Sequence, residues 1–251
     1  MTPREGTGAA LGPPIRRPVM AAAARGYLLL YTLAQLAGTA IVLCLAFGSL
    51  GRGPAAVYEA CGAPVKLMQT LSLLEVLHAA CGLVRSSPMT TLAQIYSRLH
   101  IVWFIVDAVP SAARTRLQVP GAPPGVALSY ATMIIAWGFA ETIRYTYYAF
   151  SITGSVPYVV KWIRYTAFYA LYPLGVASEL TLCYLATPTL KATGMMSYRM
   201  PNAWNIDFSF WWFNTYCICI AGYSFWFPVL YMHMIKQRAK ALGGAAKKKD
   251  A

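Results

Sequence analysis

Apolar residues run along this chain in blocks far longer than a strand or an ordinary core helix uses. They cover about residues 26–48, 65–84, 91–109, 126–150, 158–187 and 209–235, with polar or Pro- and Gly-bearing segments between them. A helix needs roughly 20 such residues to cross the hydrocarbon core of a bilayer, so each block reads as a membrane span. The third block is the weakest, because Arg98 and His100 interrupt it. The fifth exceeds the crossing length, so tilt or a kink at Pro173 must absorb the excess. The first is too long for the apolar region of a secretory signal and lacks a cleavage site, so it stays as a span. The pattern therefore predicts an all-α integral membrane protein, a bundle of six transmembrane helices over residues 26–238, with no internal repeat. Residues 1–25 are rich in Pro, Gly, Ala and Arg without a hydrophobic period and read as a disordered tail, and residues 239–251 read as a basic tail.

Composition agrees with a lipid environment. Apolar residues make up 58% of the 251, and the mean hydropathy is +0.49, more than a water-facing surface tolerates. The net charge of +13 would suit a nucleic-acid partner, but the lysines and arginines cluster at the chain ends and at the borders of the apolar blocks. That distribution reads as membrane topology, not a nucleic-acid footprint. With an even number of spans both termini share one side. If that side is the cytosol, fifteen lysines and arginines lie inside and six outside, and the positive-inside rule selects this orientation. Lys248 and Lys249 stand at the −4 and −3 positions of the C-terminus, a dilysine pattern resembling a retrieval signal of endoplasmic reticulum membrane proteins. The six cysteines are scattered without CxxC spacing or histidine partners, so neither a metal site nor a disulfide is expected.

Only eight acidic residues occur, and Glu75, Glu141 and Glu179 fall inside apolar blocks. An intramembrane carboxylate is costly unless it is paired or used, so each is a candidate functional group. Glu179 follows Tyr172 by seven residues, close to two helical turns, which puts both on one face roughly 10 Å apart. Pro173 and Gly175 between them offer a bend that would bring phenol and carboxyl to one cavity. An acid and a base facing a lipid-lined pocket suggest proton transfer on an apolar substrate. Glu141 and Arg144, at i,i+3, read as an ion pair holding the fourth span rather than as substrate contacts. Glu75 and His78 repeat that spacing on the second span, with Arg98 as a candidate partner, and either line the pocket or join helices. Gln94 carries the same two readings. Lys161 and Arg164 border the fifth span, where they bind substrate phosphates or simply snorkel to the interface.

The order and spacing of several short blocks resemble one family over about residues 27–240. They are Glu75-x-x-His78-x-x-x-Gly82, Gln94-x-x-Ser97-Arg98, Glu141-x-Ile143-Arg144-Tyr145, Pro157-Tyr158-x-x-Lys161-Trp162-x-Arg164-Tyr165, Tyr172-Pro173-x-Gly175-Val176-x-x-Glu179, Pro201-Asn202-x-x-Asn205 and Phe227-Pro228-x-Leu230-Tyr231-x-His233. The chain is similar to the 3-hydroxyacyl-CoA dehydratases of very-long-chain fatty acid elongation, also called protein tyrosine phosphatase-like proteins. The resemblance implies a multi-pass enzyme of the endoplasmic reticulum membrane that acts on long-chain 3-hydroxyacyl-CoA beside other elongation-cycle enzymes. It also implies Tyr172 and Glu179 as the catalytic pair. The phosphatase in the older family name is a decoy. His78, Gly82, Arg85 and Ser86 match the offsets of a phosphatase loop, but Ala79 occupies the nucleophile position, and that chemistry needs a thiolate. Arg85, where relatives usually carry proline, reads as a cytosolic border charge.

Dehydration requires one group to take a proton from Cα and another to hand a proton to the departing Cβ oxygen. Poor solvation makes an ionised Glu179 the stronger base, and Tyr172 can donate its phenolic proton, although the reverse assignment remains open at this stage. Such chemistry needs no metal, flavin or nicotinamide, and no dinucleotide fingerprint is present. A small transporter or a non-catalytic scaffold of an elongation complex are the alternatives. The lack of an inverted repeat argues against the first, and retention of both Tyr172 and Glu179 against the second. The topology makes a direct prediction: a tag placed within residues 1–25 is digested by protease added to sealed microsomes. Protection of that tag would reverse the orientation.

Overall fold

The computed structural model describes residues 22–84, 86–121, 123 and 126–246. Arg85, the Lys248–Lys249 pair and residues 1–21 lie outside them. The chain is mostly helical, and the apolar blocks account for nearly all the helices. Helix α1 spans Ala22–Leu50, so the first helix starts four residues ahead of the apolar block. The second block divides into α2 (Pro54–Leu71) and α3 (Leu73–Ala80), broken at Ser72. Helix α2 begins well before its apolar block because Pro54 is well placed in a first turn and Gly53, at φ 94°, redirects the chain into it. Helix α4 (Pro88–Leu99) continues into a wide π-helical segment, His100–Val106.

Beyond a short helix α5 (Pro110–Ala113), strands β1 (Arg116–Gln118) and β2 (Ala127–Ser129) form an antiparallel hairpin with Leu117 opposite Leu128. Helix α6 (Tyr130–Thr153) opens on a reciprocal cap between Ser129 and Thr132 and closes on Gly154 in the left-handed region. The fifth block forms α7 (Tyr158–Arg164) and α8 (Phe168–Thr193). Of the tilt or Pro173 kink expected to absorb the excess length, the kink does not break the helix, since Pro173 sits inside the continuous α8; a turn at residues 165–167 divides the block instead. The last block forms α9 (Phe210–Trp212), a second π-helical segment over Phe213–Gly222, and α10 (Tyr223–Ala246). Two helical stretches, Ala22–Leu50 and Phe210–Gly243, are individually long and apolar enough to cross a membrane.

Helix α6 is the central element and packs against α1 on one side and α8 on the other. Its approach to α1 requires Gly138, where an added Cβ would meet Leu43 Cδ2 at 2.5 Å. Small residues at such crossings let backbones approach closely without help from water exclusion. The apolar core gathers Val42, Ala46, Val57, Cys61, Ile101, Ile105, Met133, Leu182 and Ala186. These come from the C-terminal halves of α1 and α8, the N-terminal halves of α2 and α6, and the π-helical segment His100–Val106. One end of the bundle is therefore closed by apolar packing. The opposite end, formed by the other halves of these helices together with α3 and α4, carries the buried charges.

Candidate active site

At the charged end, Arg144 of α6 donates from Nη1 and Nη2 to the two oxygens of Glu75 on α3, at 2.7 and 3.0 Å. Its Nε and Nη2 also reach Glu141 Oε2, at 3.0 and 2.5 Å. Glu141 Oε1 accepts a close hydrogen bond from Arg98 of α4. Tyr145 donates to Glu75 Oε1 at 2.7 Å, and Tyr31 of α1, itself receiving Gln35 Nε2 at 3.0 Å, donates to the same oxygen at 3.3 Å. Two guanidiniums thus neutralise two carboxylates, and four helices share the network.

Arg98, considered from its position as a partner for Glu75 and His78, bonds to neither; it belongs to Glu141, and Glu75 belongs to Arg144. The reason is packing: α3 and α4 lie directly against one another, and the Glu75 and Arg98 side chains both reach across to α6, where they meet Arg144 and Glu141. His78 is buried against α1 instead, 2.8 Å from Tyr27 Oη with the ring of Tyr31 edge-on to it. Gln94 is exposed on α4. Lys161 and Arg164 lie half-buried on α7 and enter no ion pair among the described residues. Close by, Arg238 of α10 donates to Thr166 Oγ1 at 3.3 Å, so the turn before α8 and the end of α10 share one basic rim.

Glu179 is buried on α8 and, unlike Glu75 and Glu141, has no arginine bonded to it among the described residues. Its partners are neutral. Trp137 Nε1 of α6 donates to Oε1 at 2.8 Å, and Tyr223 Oη of α10 donates to Oε2 at 2.5 Å. Tyr172 faces the same neighbour helix: its ring stacks on Phe227 at 5.2 Å with an interplanar angle of 8°, and Tyr231 extends the stack. Helices α8 and α10 are antiparallel here, since Tyr172 meets Phe227 while Glu179 meets Tyr223. Tyr172 and Glu179 share the α10-facing side of α8, and no hydrogen bond joins them.

Trp137 and Tyr223 were not singled out from the sequence. A tryptophan in mid-span, away from the interfacial belt, was the available signal, because a buried indole N–H needs an acceptor. Tyr223 gave no comparable signal among the 17 tyrosines.

The chain is thus a helical protein that holds one buried carboxylate on neutral donors and two others on arginines. The chain belongs to the family described as protein tyrosine phosphatase-like protein, PTPLA, whose match covers residues 69–244. It is 37% identical over 227 residues to very-long-chain (3R)-3-hydroxyacyl-CoA dehydratase hpo-8 of Caenorhabditis elegans, over 89% of this chain and 98% of that protein. It is 35% identical over 221 residues to very-long-chain (3R)-3-hydroxyacyl-CoA dehydratase 2 of Homo sapiens, covering 87% and 82%. Identity is 39% over 220 residues to very-long-chain (3R)-3-hydroxyacyl-CoA dehydratase PASTICCINO 2 of Arabidopsis thaliana, covering 87% and 93%. No solved structure matches the chain.

The network makes a stability prediction. Removing one member of a buried ion pair leaves an uncompensated charge, at a cost of about 3–5 kcal/mol. Glu141→Gln, which strands Arg98 and takes one of the two carboxylates from Arg144, is expected to lower the thermal unfolding midpoint of the detergent-extracted protein clearly. Turnover per folded molecule should fall much less. A variant as stable as the parent would remove the network from the role of fold-holding core.

Proposed function

We propose that this protein is a hydro-lyase that dehydrates long- and very-long-chain 3-hydroxyacyl-CoA to trans-2-enoyl-CoA, the third step of the fatty acid elongation cycle. The observation that carries this reading is Glu179, buried and held by neutral donors on the face of α8 that also bears Tyr172. Family membership and the names of its relatives supply the substrate class. Glu179 takes the Cα proton, the electron pair of that bond becomes the new C=C bond, and the Cβ–O bond breaks. Tyr172 gives its phenolic proton to the departing oxygen, which leaves as water. Return of the proton from Glu179 to the phenolate then resets the site. Every atom is accounted for without a cofactor.

In this reading six helical passes cross the endoplasmic reticulum membrane with both termini in the cytosol. They are α1, α2 with α3, α4 with its π-helical extension, α6, α8, and the α9-to-α10 stretch. The charged end of the bundle then faces the cytosol, where CoA stays, and the acyl tail lies among the helices toward the apolar end. Other elongation-cycle enzymes supply the 3-hydroxyacyl substrate and reduce the enoyl product. The basic rim of Lys161 and Arg164 receives the CoA phosphates.

The decisive assay uses purified protein, a long-chain 3-hydroxyacyl-CoA and detection of the 2-enoyl product. Tyr172→Phe and Glu179→Gln are each expected to lower kcat by about 10²–10⁴-fold, the range for a positioned proton-transfer group. The double variant should lose little more than the worse single one, because groups acting as a unit are strongly non-additive. Near-normal dehydration by folded Glu179→Gln protein would overturn the mechanism. Replacing Lys161 and Arg164 together by glutamine is expected to raise KM with little change in kcat, since phosphate contacts alter little between ground and transition states. An unchanged KM would leave those charges as membrane anchors.

A further inference from the structure

The acid–base scheme uses Tyr172 and Glu179 but leaves unexplained why two further helices each send a hydrogen-bond donor to the same carboxylate. An indole N–H can only donate, so Oε1, 2.8 Å from Trp137 Nε1, must be an acceptor. The separation of 2.5 Å between Oε2 and Tyr223 Oη falls in the range of a hydrogen bond from a hydroxyl to an ionised oxygen. Both contacts fit a carboxylate. Each oxygen keeps a second lone-pair site, so the clamp restrains the group without blocking it.

The choice of donors matters as much as their number. Glu75 and Glu141 are matched with arginines, which cancel their charge and consume their basicity. Glu179 receives neutral donors, which stabilise the anion without cancelling it. The charged and titratable groups around it are Arg98 of α4, whose guanidinium lies 5.7 Å from the Trp137 ring, Tyr223 itself, and Tyr172 and Cys183 on its own helix. Arg98 is engaged by Glu141 and reaches Glu179 only through the field it casts across the indole.

The backbone is also arranged around this contact. Tyr223 is the first residue after the ten-residue π-helical segment Phe213–Gly222. A π-helix turns less per residue than an α-helix, so this segment resets which face of the following helix meets α8. The segment is fastened to the bundle by Asn214, fully buried with its Oδ1 2.8 Å from His100 Nε2 in the other π-helical segment.

We infer that Trp137 and Tyr223 are positioning residues that hold Glu179 ionised and aimed, and so assign it the role of base and Tyr172 that of acid. This rests on the dehydratase reading above and goes one step beyond it. The test uses the full-length protein with Tyr223→Phe, Trp137→Phe and Trp137→His. Each phenylalanine variant is expected to lose about 10- to 100-fold in kcat, the worth of one hydrogen bond to a charged group, with KM within about twofold. Losing a donor to the charged form disfavours it, so the acid limb of the kcat–pH profile should move to higher pH in Tyr223→Phe. Trp137→His, which keeps a ring N–H, should recover part of the loss seen in Trp137→Phe. Added to Glu179→Gln, Tyr223→Phe should cost nothing further.

Tyr223→Phe with parental kcat and pH profile, beside an inactive Glu179→Gln, would overturn the clamp and leave the dehydratase reading intact. A loss confined to yield and melting point in both phenylalanine variants, with the pH profile unmoved, would also overturn it. A fully active Glu179→Gln would remove the underlying reading as well.

Discussion

The structure depends on how charge is compensated where water is scarce. Arg144 sits between Glu75 and Glu141, Arg98 covers the second oxygen of Glu141, and Tyr145 and Tyr31 complete the shell of Glu75. A lone carboxylate or guanidinium there would cost several kcal/mol, and these groups meet only if α1, α3, α4 and α6 stand at one relative height and rotation. Apolar packing between helices is nearly as good at many registers. The ion network picks one of them.

That register in turn positions the carboxylate that is left over. With α6 held by Glu141 and Arg144, Trp137 lies one turn away on the same helix and its indole N–H reaches Glu179 on α8. The charges paired with arginine and the carboxylate proposed as the base are thus adjacent but served differently. Charge neutralisation by arginine suits a fixed strut. Neutral hydrogen bonds suit a base, which must keep its affinity for a proton.

The two ends of the bundle divide the remaining tasks. Close crossings such as Gly138 against Leu43 and the cluster around Ile101, Met133 and Leu182 close one end. At the other, α10 is tied to α8 by large rings, Tyr172 on Phe227 and Phe168 beside Tyr231, rather than by close helix contact. Among its described side chains, helix α10 buries none fully, consistent with a loosely covered flank beside Tyr172.

Much of this was legible along the chain because long apolar blocks announce helices by their length. The apolar blocks fall on the helices, and the i,i+3 and i,i+7 spacings put Glu141 beside Arg144 and Tyr172 on the α10-facing side with Glu179, since a helix turns by a fixed angle per residue. The breaks at Ser72 and at residues 165–167 were hidden, because the sequence stays apolar across them. Neither π-helical segment left a periodic trace. Partners far apart in sequence were decided only by the fold: Glu75 and Arg144 are 69 positions apart, Trp137 and Glu179 are 42, Tyr223 and Glu179 are 44. Local spacing determines which side chains share a face of one helix. Which face of the next helix they meet depends on how all the helices pack and neutralise their charges together, and that is set by the tertiary structure.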